Sequence, residues 1–210
     1  MARSKSSKRW LQEHFADPYV KKAHAAGYRS RAVFKLMEIQ KQDHLIKSGM
    51  IVVDLGAAPG GWSQLLVDWV KPAGQVIALD ILPMDALAGV EVITGDFTSN
   101  AVYEVLMEKL QGKQPDVVLS DMSPNMSGLP EVDKPRSMYL VELSFDFAIQ
   151  VLKPGGVFLT KVFQGEGSEA FLKRMRQSFD KVIIRKPDAS RDRSSEVYMI
   201  GRGKRRVCCQ

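Results

Sequence analysis

The chain has 210 residues, of which 45% are apolar, and a formal net charge of +6. A chain of this length and apolar content buries one full hydrophobic core, which favours one domain over two. No apolar run approaches the roughly 18 residues of a membrane span, and the basic, serine-rich N-terminus lacks the apolar stretch of a signal peptide. The composition therefore argues against a membrane-spanning or exported protein, and we expect a cytoplasmic one.

The cysteines and the charge distribution indicate which structural links and which binding partners to expect. Cys208 and Cys209 are adjacent at the C-terminus, where they can neither cross-link a core nor supply a four-ligand metal site. Residues 1–9 and 202–206 carry four basic side chains each and no acid, so the ends account for the positive charge. Basic ends on a nearly neutral body fit a polyanion such as nucleic acid, although solubilising termini explain them equally well.

Strands and helices alternate along the chain after a start that we predict to be disordered. The predicted helices are 30–42, 62–70, 101–110, 136–151 and 168–179. The predicted strands are 50–55, 75–80, 90–94, 115–120, 156–163, 181–185 and 196–200. Continuous apolar strands that alternate with helices predict a mostly parallel, doubly wound α/β sheet, and the closing strand pair predicts an antiparallel edge.

Residues 52–62 form the most informative motif, because an apolar run ends there in a glycine-rich turn and an amphipathic run follows. Gly56, Gly60 and Gly61 let the backbone adopt positive φ and let a ligand contact the main chain. Their spacing differs from the Gly-x-Gly-x-x-Gly that seats a dinucleotide pyrophosphate on a helix N-terminus. The motif therefore favours a nucleoside without a diphosphate, such as S-adenosylmethionine, over a nicotinamide or flavin cofactor.

Four aspartates lie at or just beyond the ends of predicted strands: Asp54, Asp80, Asp96 and Asp121. Any one of them is explained as a cap or turn residue. Ligands of such a sheet collect at the carboxyl ends of its strands, however, so four acids at successive ends predict a ligand site. Asp80 ends the second strand, roughly 20 residues beyond the glycines, where an acid accepts hydrogen bonds from both ribose hydroxyls.

Lys161 is unusual because it lies in a strand that otherwise has the composition of a fully buried one. A lysine is almost never buried unless it is paired or deprotonated, so its head either reaches solvent at the strand end or serves a site. We favour the site, since perturbed lysines cluster at functional positions. Lys35 and Glu196, taken singly, are explained as a solvated helix face and an edge-strand acid.

These residues resemble the FtsJ-type ribose 2′-O-methyltransferases over nearly the whole chain. The motifs that carry the resemblance are residues 30–36, 53–62, 82–84, 95–97, 120–125, 161–165, 185–187 and 195–196. The resemblance implies a Rossmann-like methyltransferase domain that binds S-adenosyl-L-methionine. It implies a catalytic tetrad of Lys35, Asp121, Lys161 and Glu196, and cofactor contacts at Gly56, Gly60, Trp62, Asp80, Asp96 and Asp121. Ser123, where the family pattern has alanine, is a small departure beside the site.

The resemblance also implies the reaction and the partner. The methyl group would go to the ribose 2′-hydroxyl of a uridine in 23S ribosomal RNA, in the assembled large ribosomal subunit, and would aid ribosome maturation. We expect a monomer without a metal, in which residues 29–201 form the methyltransferase domain between a basic extension, 1–28, and a basic tail, 202–210. Candidate phosphate contacts are Arg29, Arg31, Arg191 and Arg193, and candidate base-stacking residues are Trp10, Phe15 and Tyr19.

Methyl transfer of this kind requires an aligned and partly deprotonated hydroxyl. We predict that Lys161 orients and deprotonates it, that Asp121 holds it, and that Lys35 and Glu196 complete the network. Burial and the second cation favour a neutral Lys161, whereas Asp121 favours the charged form, so the sequence leaves open a general base or an electrostatic clamp. A transfer-RNA or small-molecule methyltransferase, a non-catalytic ribosome-assembly factor and a dehydrogenase remain as alternatives.

Overall fold

A computed structural model describes residues 17–191 and 194–206, which form a seven-stranded sheet between two layers of helices. The strands are β1 (Ile51–Leu55), β2 (Gln75–Asp80), β3 (Val90–Thr94), β4 (Val117–Ser120), β5 (Val157–Phe163), β6 (Phe179–Arg185) and β7 (Glu196–Lys204). The helices are α1 (Pro18–Ala25), α2 (Val33–Asp43), α3 (Gly61–Val70), α4 (Asn100–Leu110), α5 (Pro130–Val151) and α6 (Ser168–Ser178).

The strands are ordered β3-β2-β1-β4-β5-β7-β6, and the pairs among β1 to β5 are all parallel. β7 lies between β5 and the edge strand β6, and it is antiparallel to both of these neighbours. The predicted doubly wound, mostly parallel sheet with antiparallel pairing at one end is confirmed. The order matches the dinucleotide-binding arrangement 3-2-1-4-5-6 except that β7 is inserted before the last strand.

The hydrophobic core has two parts, one on each face of the sheet. Helices α4, α5 and α6 pack on the face that carries Val53, Leu55 and Ile77. Helices α1, α2 and α3 pack on the face that carries Val52 and Val76. Both faces are covered, as the continuous apolar composition of the parallel strands requires. None of the helices within the described residues is long and apolar enough to cross a membrane.

The largest differences from the sequence-based expectation are in three elements. Helix α1 lies in the predicted disordered start; the Asp17 side chain accepts a hydrogen bond from the Tyr19 amide and caps it. Helix α5 begins six residues earlier than predicted and contains Pro135, which sacrifices one helical hydrogen bond. Strand β7 continues to Lys204, whose ammonium donates to the Leu152 carbonyl at 2.7 Å, so part of the predicted basic tail belongs to the sheet.

A bidentate ion pair joins the end of α2 to the edge strand β6. Arg185 Nε and Nη2 on β6 donate to the two oxygens of Asp43 at 2.8 and 2.9 Å. The Asp43 side chain is buried, with 4% of its area exposed. Removing one partner of such a pair leaves a charge with poor solvation, which costs more than the pair itself contributes.

We expect Arg185→Ala to lower the free energy of unfolding by about 2 kcal/mol, because it leaves the buried Asp43 carboxylate without its ion-pair partner. Arg205→Ala is the matched control, since its 3.3 Å pair with Asp180 is largely exposed and contributes less than about 1 kcal/mol. Urea denaturation of both variants checks the difference. Equal losses in the two variants would contradict the assignment.

Candidate active site

A cavity of about 500 Å³ opens at the carboxyl ends of the parallel strands. Its wall comes from the segments that follow β1, β2, β3 and β4 and from β5. The residues that line it include Gly56, Ala58, Asp80, Leu82, Asp96, Phe97, Asp121, Met122, Ser123, Leu140 and Lys161. Of the predicted site residues, Gly56, Asp80, Asp96, Asp121 and Lys161 are therefore brought together, and Ser123 is part of the wall.

Gly56 lies where the loop after β1 passes close to the main chain of Met122. Its φ is +77°, and a Cβ at this position would lie 2.7 Å from the Met122 amide nitrogen. The Gly56 and Ala57 amides both donate to the Leu79 carbonyl, at 2.8 and 3.2 Å, which fixes the loop to the end of β2. Only glycine satisfies both the conformation and the space, so the loop forms a cradle against which a ligand can lie.

Two carboxylates on the cavity wall are held in place by backbone amides. Asp80 accepts from the Ala58 amide at 2.9 Å and from the Leu82 amide at 2.8 Å, so both of its oxygens are oriented. Asp96 accepts from the amide and the hydroxyl of Thr98, and these hydrogen bonds hold the pKa of Asp96 below its ordinary value. Oriented carboxylate acceptors fit the hydroxyl and amino donors of a nucleoside, so the residues present fit S-adenosylmethionine.

Lys161 and Asp121 form a buried pair at the deep side of the cavity. Lys161 Nζ lies 3.1 Å from Asp121 Oδ1 and donates to the Asp121 backbone carbonyl at 2.6 Å, and only 7% of the Lys161 side chain is exposed. Asp121 Oδ1 also accepts from the Tyr198 hydroxyl at 2.9 Å. Burial, with the negative charges of Asp121 and Glu196, raises the pKa of Tyr198 well above its ordinary value, so the phenol keeps its proton.

Lys35 and Glu196 form the second pair. Lys35 Nζ lies 2.6 Å from Glu196 Oε1, which also accepts from the Ser190 hydroxyl at 3.0 Å. The ammonium of Lys35 lies 5.6 Å from the centre of the Tyr198 ring, close enough for a cation–π contact. Tyr198 therefore connects the two pairs, a role that was not predicted from the sequence.

Other predicted contacts have a different environment. Gly60 and Trp62 are not among the residues that line the cavity. The Trp62 indole is buried, donates to the Ala32 carbonyl at 2.8 Å and packs against Tyr198. Arg29 donates to the carbonyls of the loops beside the cavity, at Pro59, Asp85 and Ala86. Among the described residues, no cluster of three or more His, Cys, Asp or Glu side chains could hold a metal ion.

Asp54 does not line the cavity either; it is fully buried beneath the glycine loop. Its Oδ2 accepts from the Ser63 hydroxyl at 2.7 Å, and its Oδ1 has no hydrogen-bond partner in the part of the chain that the structure describes. Burial raises the pKa of Asp54 from 3.8 to about 7, and the nearby Asp121 and Asp80 add to the effect. Asp54 is thus a buried carboxyl of the core and not a residue of the cavity wall.

The inserted antiparallel strand, the glycine cradle and the oriented carboxylates define a Rossmann-like methyltransferase that uses S-adenosyl-L-methionine. A family model described as FtsJ-like methyltransferase matches residues 28–204. This chain belongs to the FtsJ-like methyltransferase family, and the predicted family and cofactor are confirmed.

Named relatives and solved structures agree with this membership. "Ribosomal RNA large subunit methyltransferase E" of Cellvibrio japonicus is 59% identical over 97% of this chain and 96% of its own length. The protein of the same name from Marinobacter nauticus is 58% identical over 98% of this chain and 99% of its own. A crystal structure described as a ribosomal RNA methyltransferase of Plasmodium falciparum superposes with a TM-score of 0.76 at 28% identity, covering 84% of this chain and 98% of that one.

We expect Gly56→Ala to weaken the binding of S-adenosylmethionine at least roughly tenfold, because the new Cβ displaces Met122 and the cradle. Gly112→Ala is the matched control: its φ is also positive, at +72°, but nothing lies within 4 Å of the added Cβ. Both variants should lose about 1 kcal/mol of stability from the conformational strain. Calorimetric titration checks the affinities, and equal affinities in the two variants would contradict the cradle.

We expect the stability cost of Asp54 to depend on pH. The unfolded chain releases the Asp54 proton near pH 3.8, whereas the folded protein keeps it to about pH 7. The unfolded state is therefore favoured increasingly as the pH rises through this window, by about 4 kcal/mol in total. Asp54→Asn removes the titration, so urea denaturation at pH 4 and pH 8 should show a smaller loss of stability in the variant. Parallel pH profiles would contradict this assignment.

Proposed function

We propose that this protein transfers a methyl group from S-adenosyl-L-methionine to the ribose 2′-hydroxyl of a uridine in 23S ribosomal RNA, with the large ribosomal subunit as its substrate and ribosome maturation as its role. Family membership and relatives that carry the name of a large-subunit ribosomal RNA methyltransferase support the reaction and the substrate. The observation that carries the chemistry is the buried Lys161–Asp121 pair on the wall of the cofactor cavity.

The donors and acceptors of this pair suit a hydroxyl nucleophile. Lys161 Nζ donates one hydrogen bond to the Asp121 carbonyl and forms an ion pair with Asp121 Oδ1. An ammonium has three N–H groups, so a donor is left for the ribose oxygen. Among the described residues, none donates a hydrogen bond to Asp121 Oδ2, which is thus left to accept from the hydroxyl. Because Lys161 Nζ forms a buried ion pair with Asp121 on the cavity wall, we assign Lys161 the role of an electrostatic clamp.

When bound, S-adenosylmethionine supplies an electrophilic methyl group on its sulfonium. Asp121 Oδ2 accepts the hydroxyl proton, and the Lys161 ammonium stabilises the negative charge that develops on the ribose oxygen. Tyr198 holds Asp121 Oδ1 with its own hydroxyl, which keeps Oδ2 directed to the substrate. The Lys35–Glu196 ion pair supports Tyr198 through its ring. Asp80 and Asp96 bind the nucleoside of the donor.

We expect Lys161→Ala to lower kcat roughly 10³-fold, because the charge on the transition-state oxygen is no longer stabilised. The affinity for S-adenosylmethionine should stay near that of the wild type. Lys109→Ala is the control, since its 3.5 Å pair with Glu91 is largely exposed and far from the cavity wall. Single-turnover methylation and calorimetric titration check the two quantities. A loss of both in Lys161→Ala would point to a collapsed site rather than a missing catalytic group.

The choice of substrate is tested with methyl-labelled donor and four acceptors: large subunits from cells that lack the matching activity, free 23S RNA, small subunits and transfer RNA. We expect the large subunits to be labelled most. Labelling of transfer RNA in preference to them would contradict the substrate. Cofactor binding without label in any acceptor would favour a non-catalytic assembly factor.

We also propose that the protein acts as a monomer in the cytoplasm. All four tetrad side chains come from one chain, and the two pairs are complete without a second copy. The assembled ribosomal subunit is found in the same compartment. Light scattering at working concentration should give a mass near 23.5 kDa, and a dimer mass would contradict the monomer.

A further inference from the structure

Three carboxylates lie on one face of the sheet where it meets the cofactor cavity. Asp54 on β1 is paired in register with Ala78 on β2 and with Leu119 on β4. Asp80 and Asp121 follow these partners at the next position but one, and side chains so spaced along a strand point to the same face. Asp54 therefore lies about 7 Å along the strands beneath two acids of the cavity wall.

Asp54 is the least satisfied of the three carboxylates. It is fully buried, and its Oδ2 accepts a hydrogen bond from the Ser63 hydroxyl at 2.7 Å. Its Oδ1 has no hydrogen-bond partner in the part of the chain that the structure describes. Asp80, by contrast, accepts from two backbone amides, and Asp121 accepts from the Tyr198 hydroxyl. A buried carboxyl with a free oxygen requires either a proton or a nearby positive charge.

The neighbouring acids make Asp54 responsive to charge in the cavity. Burial raises the pKa of Asp54 to about 7; the charges of Asp121 and Asp80 act in the same direction, and the hydrogen bond from Ser63 opposes them. Since Asp54 interacts electrostatically with two acids of the cavity wall, it interacts in the same way with a charge that binds between them. A cation bound there favours the ionised form of Asp54, and a neutral group does not.

The cations and acids of the surrounding elements are already engaged. Lys161 on β5 belongs to the catalytic ion pair, and Arg29 donates to backbone carbonyls of the loops beside the cavity. On α3, the ionisable side chain is Asp68, which is 73% exposed and paired with Lys71. The positive charge that would compensate Asp54 must therefore come from a ligand.

The methyl donor brings such a charge and loses it in the reaction. In the transfer, sulfur keeps the electron pair of the broken C–S bond, the ribose oxygen forms the new C–O bond, and the hydroxyl proton is released. The cationic sulfonium becomes a neutral thioether, while the nucleoside and the amino acid of the ligand are unchanged. The charge on sulfur is therefore the property by which the site can tell donor from product.

The position of this charge follows from the proposed function, on which the inference rests. The nucleoside is held at Asp80 and Asp96, and the acceptor hydroxyl is held at Lys161 and Asp121. The sulfur connects the nucleoside to the methyl group that reaches the hydroxyl, so it belongs between these two subsites, over the glycine loop. Asp54 lies beneath that loop, on the same face as Asp80 and Asp121.

We infer that Asp54 distinguishes the methyl donor from the demethylated product by losing and regaining one proton. The carboxyl is ionised beneath the sulfonium, and it is protonated in slightly acid solution when the neutral product or no ligand fills the cavity. Binding of the donor thus releases a proton, which binding of the product does not. After transfer, Asp54 takes up a proton from solvent, which balances the proton that the ribose hydroxyl has released.

The test is calorimetric titration of the whole protein with S-adenosylmethionine and with S-adenosylhomocysteine, without RNA. Titrations in PIPES and in imidazole, whose ionisation enthalpies differ, count the protons released. We expect the donor to release about half a proton more than the product at pH 6.5. The affinity for donor relative to product should rise about fivefold from pH 6 to pH 8, which corresponds to a coupling of about tenfold.

Asp54→Asn should abolish the excess proton release and flatten the affinity ratio, because the amide has no proton to lose. Asp68→Asn is the matched control, since it removes an exposed carboxyl of α3, and it should behave as the wild type. Ser63→Ala removes the hydroxyl that stabilises ionised Asp54, so the greatest excess should move to higher pH. The amino group of the ligand titrates near pH 8 in every variant, so differences between variants report Asp54.

Equal proton release by donor and product in the wild type would overturn the inference. An excess that persists in Asp54→Asn would overturn it too, because another group would then be titrating. If Asp54→Asn does not fold, the shift in Ser63→Ala decides, and an unshifted profile contradicts the role of Asp54. These outcomes are separate from the proposed function, which fails instead if the methyl group is transferred to a base.

Discussion

Asp121 holds the candidate active site together, because its Oδ1 forms an ion pair with Lys161 Nζ at 3.1 Å and accepts a hydrogen bond from the Tyr198 hydroxyl at 2.9 Å. Burial keeps the Tyr198 hydroxyl protonated, so it remains a donor to the carboxylate. The carboxylate in turn forms the ion pair that a buried lysine needs, because burying an unpaired ammonium is costly. In the proposed mechanism its other oxygen accepts from the substrate hydroxyl, so one side chain serves both the buried cation and the acceptor.

The antiparallel strand β7 makes this arrangement possible. It runs opposite to β5, so its first residues lie at the same end of the sheet as the carboxyl ends of the parallel strands. The register pairs Lys161 with Tyr198 and Phe163 with Glu196, which places these side chains of both strands on one face. The Glu38 contacts to the 188–189 backbone then bring α2, with Lys35, to the same place.

The sequence predicted the features that depend on local pattern. Alternating apolar runs located every strand, and Gly56, Asp80 and Asp121 were identified as site residues because strand ends and glycine turns are visible in one segment. Tyr198 was missed, since a tyrosine in an apolar strand looks like any core residue until its partner across the sheet is known. Helix α1 was missed although Asp17 and Pro18 form a capping signal, because its burial depends on α2 and not on its own weak periodicity.

The central claim is that the acceptor is a ribose hydroxyl held by Lys161 and Asp121. The most direct measurement transfers labelled methyl to unmodified large subunits, hydrolyses the extracted RNA with alkali and separates the products. A 2′-O-methyl group removes the nucleophile that cleaves the RNA backbone in alkali. The account predicts that the label remains in an alkali-stable dinucleotide; label released in mononucleotides would mean methylation of a base and would contradict it.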